Sequence, residues 1–96
     1  MTEEINSLIN AEITDTYQLH DYWQIITDKG IINVYSQVNS DVFDTLKDCK
    51  IIELEFAVSN YFCITLDNKQ SIVISLRDEI IEHFSIYLKT GETIVE

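Results

Sequence analysis

Proline is missing from this chain altogether, and glycine occurs only twice in 96 residues. A β-rich protein without proline must guard its sheet edges by charge or by closure. Both glycines, Gly30 and Gly91, fall in short polar breaks between apolar runs. None is left for a glycine-rich phosphate loop, which sets nucleotide binding aside. Basic residues are scarce too: six Lys and Arg face seventeen Asp and Glu, a formal net charge of −11. Such a field repels nucleic acid and anionic membrane and attracts basic proteins, and no basic groove for a phosphate backbone can be assembled. No run approaches the ~18 apolar residues of a membrane span. The opening Met1-Thr2-Glu3-Glu4 is acidic where a secretory signal is basic. Cytoplasm is the expected compartment, where Cys49 and Cys63 stay reduced. Cys63, between Phe62 and Ile64, reads as a small buried thiol.

What the chain does have is apolar content, 46% of its residues, enough to fold rather than remain disordered. Its length sets one domain, residues 1–96, with a single core. Three segments share one pattern of aromatic opener, apolar run, polar break and second apolar run: Trp23 to Val34, Phe62 to Ile74 and Phe84 to Glu96. This is the pattern of a β-hairpin. The expected turns are Asp28-Lys29-Gly30, with Gly30 at positive φ, then Asp67 to Gln70, then Lys89-Thr90-Gly91. The second and third segments align at an offset of 22 residues, and common hairpin physics explains that likeness without a repeat.

Thr2 caps a short helix on which Ile5, Leu8 and Ile9 share a face, with Asn10 ending it. Residues 12–19 form a strand with Ile13, Tyr17 and Leu19 on one parity and Asp15 interrupting it. A second helical turn is expected from Ser40 or Asp41, marked by Val42, Phe43 and Leu46. Lys50 to Val58 alternates most clearly, with Ile52, Leu54, Phe56 and Val58 inward and Ile51, Glu53, Glu55 and Ala57 outward. The fold class is thus mainly β with one or two short helices. About seven strands in an antiparallel meander close into a small barrel or a two-layer sandwich.

Chemistry-bearing clusters are weak. A helical turn over 78–83 sets Glu79 and His83 at i, i+4, with Asp78 and Glu82 beside them, but no Cys or second His lies at metal spacing. A solvated bridge is the better reading, and no metal or cofactor is expected. His20 beside Asp21 resembles an oriented base, yet no serine or cysteine stands in a nucleophile motif. Glu53 and Glu55 share a strand face without the lysine that metal-dependent nuclease sites require. No enzyme is expected.

The stretches Asp21 to Tyr35 and Ile64 to Asp78 resemble small acidic bacterial proteins of the kind that serve as immunity proteins beside secreted toxins. Proteins of that kind carry a Gly-Pro bridge before the last hairpin, where this chain has Glu79-Ile80-Ile81-Glu82-His83. The resemblance implies a non-enzymatic inhibitor of a basic effector, such as a toxin nuclease, and brings no catalytic residues. Carboxylates offered to the partner's lysines and arginines, with tyrosine and tryptophan as anchors, would form the contact. The candidate binding residues are Asp15, Asp21, Tyr22, Trp23, Asp28, Tyr35, Glu53, Glu55 and Asp67. A self-associating structural or regulatory subunit and a small ligand-binding barrel are the alternative readings.

Overall fold

The computed structural model describes residues 5–19, 22–35, 43, 45–77 and 82–95. Among the described residues, eight antiparallel strands form two sheets. They are β1 (Ile13–Leu19), β2 (Tyr22–Thr27), β3 (Gly30–Val34), β4 (Ile51–Ala57), β5 (Tyr61–Leu66), β6 (Ser71–Ser75), β7 (Phe84–Leu88) and β8 (Thr93–Val95). One sheet has the order β1-β2-β3-β7-β8 and the other β4-β5-β6. The two do not close into a barrel, so the sandwich is the architecture realised and the barrel reading is set aside. All three expected hairpins are present.

Between the sheets the apolar faces interdigitate. Phe62 of one sheet stacks on Phe84 of the other at 4.6 Å between ring centroids, and Phe56 meets both edge-on. Ile25, Ile32, Ile64, Ile72, Ile74 and Ile86 complete the fully buried layer. The expected N-terminal helix is reduced to a turn: residues 5–6 are helical and 7–10 a turn, with Ile5 and Leu8 buried. Asn10, at φ 72°, ends it. Phe43 and Thr45 lie in a 3₁₀ turn, and Phe43 and Leu46 are buried as expected. Thr2, His20, Asp21, Ser40, Asp41, Val42, Asp78 and Glu79 lie outside the described residues.

Two expectations of strand parity are corrected, both by a bulge. In β1 the pairing passes from Ile13↔Thr27 to Asp15↔Ile26, leaving Thr14 as the extra residue. In β4 it passes from Ile51↔Leu66 to Glu53↔Thr65, leaving Ile52 extra. An extra residue reverses every side chain beyond it. Ile13 is therefore buried while Tyr17 and Leu19 face solvent. Likewise Ile51 is fully buried, while Ile52 is 50% and Val58, in the turn past the strand, 76% exposed. Leu54 and Phe56 do face the core, and Glu53 and Glu55 face out.

The two bulges are matched parts of a larger correspondence. The described residues of 5–34 and 43–74 trace the same course: helical turn, bulged strand, hairpin, third strand. Asn10 and Asp48 both sit at φ 72°. Asp28 accepts the Glu12 N–H at 2.9 Å and returns its own N–H to the Glu12 carbonyl. Asp67 does the same for Lys50, at 3.1 and 2.9 Å. The halves join reciprocally, with Asn10 N–H to the Ile51 carbonyl at 2.7 Å and Asp48 N–H to the Ile13 carbonyl at 2.8 Å. Ile13 N–H reaches Cys49 and Ile51 N–H reaches Ala11. Residue i meeting j while j's counterpart meets i's is the relation produced by a two-fold axis.

Candidate interaction face

The outer face of the five-stranded sheet is built in rows that run across the strands. Register places Asp15, Ile26, Ile31, Tyr87 and Thr93 in one row, Tyr17, Gln24, Asn33, Ser85 and Val95 in the next, and Leu19 beside Tyr22 in a third. The opposite parity, with Trp23, Ile25, Ile32, Val34, Phe84 and Ile86, faces the core. The β1 bulge is what brings Tyr17 and Leu19 to the outer side. Tyr17 and Tyr87 are 48% and 47% exposed, and Leu19 and Val95 are also exposed. Among the described residues both of the exposed aromatic side chains are on this face, whereas the exposed apolar residues of the other half, Ile52, Val58 and Val73, are aliphatic.

The middle row is tied down by hydrogen bonds. Gln24 Nε2 donates to Asn33 Oδ1 at 3.0 Å, Asn33 Nδ2 donates to Ser85 Oγ at 3.3 Å, and the Tyr35 and Ser85 hydroxyls pair at 2.9 Å. Asn33 and Ser85 are buried on this face, and each finds the partner that burial demands. Tyr35 also meets Tyr22 at 5.2 Å between centroids. The network holds the rings of this end of the face in fixed positions.

The candidate residues divide among several surfaces. Asp15, Tyr22 and Tyr35 lie on the outer face of the five-stranded sheet. Trp23 turns inward, stacked on Phe43 at 4.2 Å and packed against the core. Glu53 and Glu55 lie on the outer face of the other sheet, where Glu55 accepts the Tyr61 hydroxyl. Asp28 and Asp67 stand on hairpin turns and cap the bridge residues Glu12 and Lys50. Asp21 lies outside the described residues. Tyr17, which the alternation pattern grouped with Ile13, and Tyr87, which it did not mark, are the rings most open to solvent on the five-stranded face. The signal for Tyr17 was Asp15, an acid out of phase on an apolar parity.

Tyr17 donates to Asp15 Oδ2 at 2.9 Å, and Asp15 Oδ1 accepts the Thr16 N–H at 3.0 Å. Hydrogen bonding to a carboxylate, reinforced by its charge, raises the Tyr17 phenol above its ordinary value, and Glu55 acts on Tyr61 in the same way. Burial, with Asp67 and Asp48 adding to it, raises the Cys49 thiol. At the turn end of the face an open groove of about 470 Å³ runs over Ile26 and Ile31 against Tyr87, with Thr14, Asp28 and Lys89 at its rim. Among the described residues no group of three or more His, Cys, Asp or Glu is placed to hold a metal ion, and no helix is long and apolar enough to cross a membrane. No protein-family profile, curated protein or solved structure matches the chain.

Proposed function

We propose that this is a non-enzymatic binding protein that holds a basic protein partner on the outer face of its five-stranded sheet, in the manner of an immunity protein or comparable inhibitor of a basic effector. The observation that carries this reading is the exposure of Tyr17, Leu19, Tyr87 and Val95 together on one hydrogen-bonded face of a chain with net charge −11. Rings provide area and partial desolvation at the centre of a contact, and carboxylates provide steering and on-rate. Neither alone would favour a basic partner so clearly.

The test is retention of basic proteins on the immobilised chain at low and at high salt. Retention at low salt, release at high salt, and loss of retention in a Tyr17→Ala, Tyr87→Ala double variant are expected, because a steered contact weakens as its charges are screened. Retention that ignores salt, or survives the double variant with the fold intact by circular dichroism, defeats the proposal. Light scattering is run beside it. A mass that grows with concentration assigns the face to a second copy of the chain instead.

A further inference from the structure

The correspondence between the two halves gives the groove an internal control. Ile26 and Ile31, the cross-strand pair on its floor, correspond to Thr65 and Ser71 in the other half. All four side chains are half-buried. The core-facing counterparts stay apolar in both halves: Ile13 and Ile51, Ile25 and Ile64, Ile32 and Ile72, Val34 and Ile74. The scaffold therefore accepts polar residues at the floor positions. Isoleucine there is not a requirement of the shared half, although Ile31 also pairs with Tyr87 of β7, a neighbour that Ser71 on the edge strand β6 lacks.

We infer that this groove seats an arginine side chain of the basic partner, an inference that rests on the proposed function and locates its central contact. Three features fit that occupant. The floor of Ile26 and Ile31 matches the aliphatic stem, since long cationic side chains lay their methylenes along apolar surface and keep the charged head in water. Tyr87, paired across strands with Ile31 and half exposed, offers a ring face on which a planar guanidinium stacks better than a compact ammonium. Asp28 lines the groove with Oδ1 engaged by the Glu12 N–H, which fixes the carboxylate beside the site a guanidinium would take. Lys89 stands on the same rim and opposes a cation, so the groove discriminates by position as well as by sign.

The full chain, ¹⁵N-labelled, is titrated with three blocked amino acids as probes: Nα-acetyl-arginine amide and its lysine and leucine counterparts. Arginine is expected to move the amides of Ile26, Asp28, Ile31 and Tyr87 most, with lysine and leucine weaker at the same sites. Asp28→Asn keeps an oxygen to accept the Glu12 N–H and removes only the charge. It should lower arginine affinity by roughly two- to fivefold, the size of an exposed ion pair, while Lys89→Gln raises it. Tyr87→Leu keeps the apolar wall without the ring and should lower it by about the same factor. Leucine or lysine matching arginine, shifts centred elsewhere, or indifference to Asp28→Asn overturns the assignment. Failure here with salt-sensitive retention of basic proteins intact removes only the groove. Arginine seated in the groove with no basic protein retained removes the proposed function and leaves the groove.

Discussion

At single positions this chain shows how residue type and structural need are matched, and where the same residue type meets different needs. Gly91 has φ 100° and open space around it, so its glycine is needed for conformation. Gly30 was expected to serve the same purpose and does not, as its φ is not positive. A Cβ there would lie 2.6 Å from the Tyr87 carbonyl oxygen, so close approach of β3 to β7 is the requirement. The Thr27 hydroxyl makes this tight turn without a left-handed residue, accepting the N–H of Lys29 and Gly30 and donating to the Gly30 carbonyl at 2.7 Å. Gly30→Ala must push backbone from backbone and should cost about 1–3 kcal/mol, the range of overpacking, whereas Gly91→Ala should cost about 1 kcal/mol. Urea denaturation of the two variants checks the order, and an equal or reversed order would refute the steric account. Titration adds a second residue-level prediction. With folded-state values above the ordinary 10, the protonated phenols of Tyr17 and Tyr61 favour the fold. Their contribution is full below the unfolded value and is lost as pH rises through the higher folded one. Absorbance at 295 nm should show two late-ionising tyrosines, one lost in Asp15→Asn and the other in Glu55→Gln.

Among the strands, alternation identified the elements but not the phase of their first residues. Lys50 to Val58 reads as one uninterrupted period-2 run because Ile51 and Ile52 are the same residue type, so nothing in the letters says which is turned inward. The bulge decides it. Ile51→Ala should therefore cost about 2–5 kcal/mol, as should Ile13→Ala in the equivalent place, because each empties a fully buried site. Ile52→Thr should change stability by no more than about 0.5 kcal/mol, as exposed positions do. Chemical denaturation of the three variants separates this register from simple alternation, which expects the reverse for Ile51 and Ile52. The hairpins, by contrast, were legible in place, since Asp67-Asn68-Lys69-Gln70 and Lys89-Thr90-Gly91 are turn residues for stated stereochemical reasons, although the first hairpin turns without the positive φ expected of Gly30. The candidate face was legible only in part: Asp15, Tyr22 and Tyr35 belong to it, but the outward turn of Tyr17 depended on the bulge and Tyr87 on the pairing of β7 with β3. That last contact joins strands far apart in the chain.

Over the whole molecule, charge is the unbalanced quantity. Seventeen acids against six bases in a body of 32 × 28 × 23 Å repel one another at low salt, where the screening length of ~30 Å at 0.01 M spans the protein. By about 0.15 M it has fallen to ~8 Å. Thermal melts should thus show Tm rising with sodium chloride and levelling off near that concentration; a flat or falling Tm would show that self-repulsion is already offset within the fold. The correspondence of the halves escaped notice in the sequence for a physical reason. It is kept by burial class, backbone angle and two capping aspartates, while an extra residue in each of the two strand connections of the second half shifts the alignment twice. The likeness at an offset of 22 that the letters do show joins hairpins of different place and environment.

The reciprocal joint between Asn10–Ile13 and Asp48–Ile51 also bears on the order of events as the chain folds. Contacts within each meander are local, closed by turns of a few residues, so each can zip up early on its own. The joint brings together segments about forty residues apart, and loop-closure entropy defers such contacts until something else has fixed the ends. Its main-chain hydrogen bonds close over the buried side chains of Ala11, Ile13, Cys49 and Ile51, so backbone pairing and core packing at the joint form together. That places the kinetic barrier at the docking of two prepared halves, away from the face on which a partner would act.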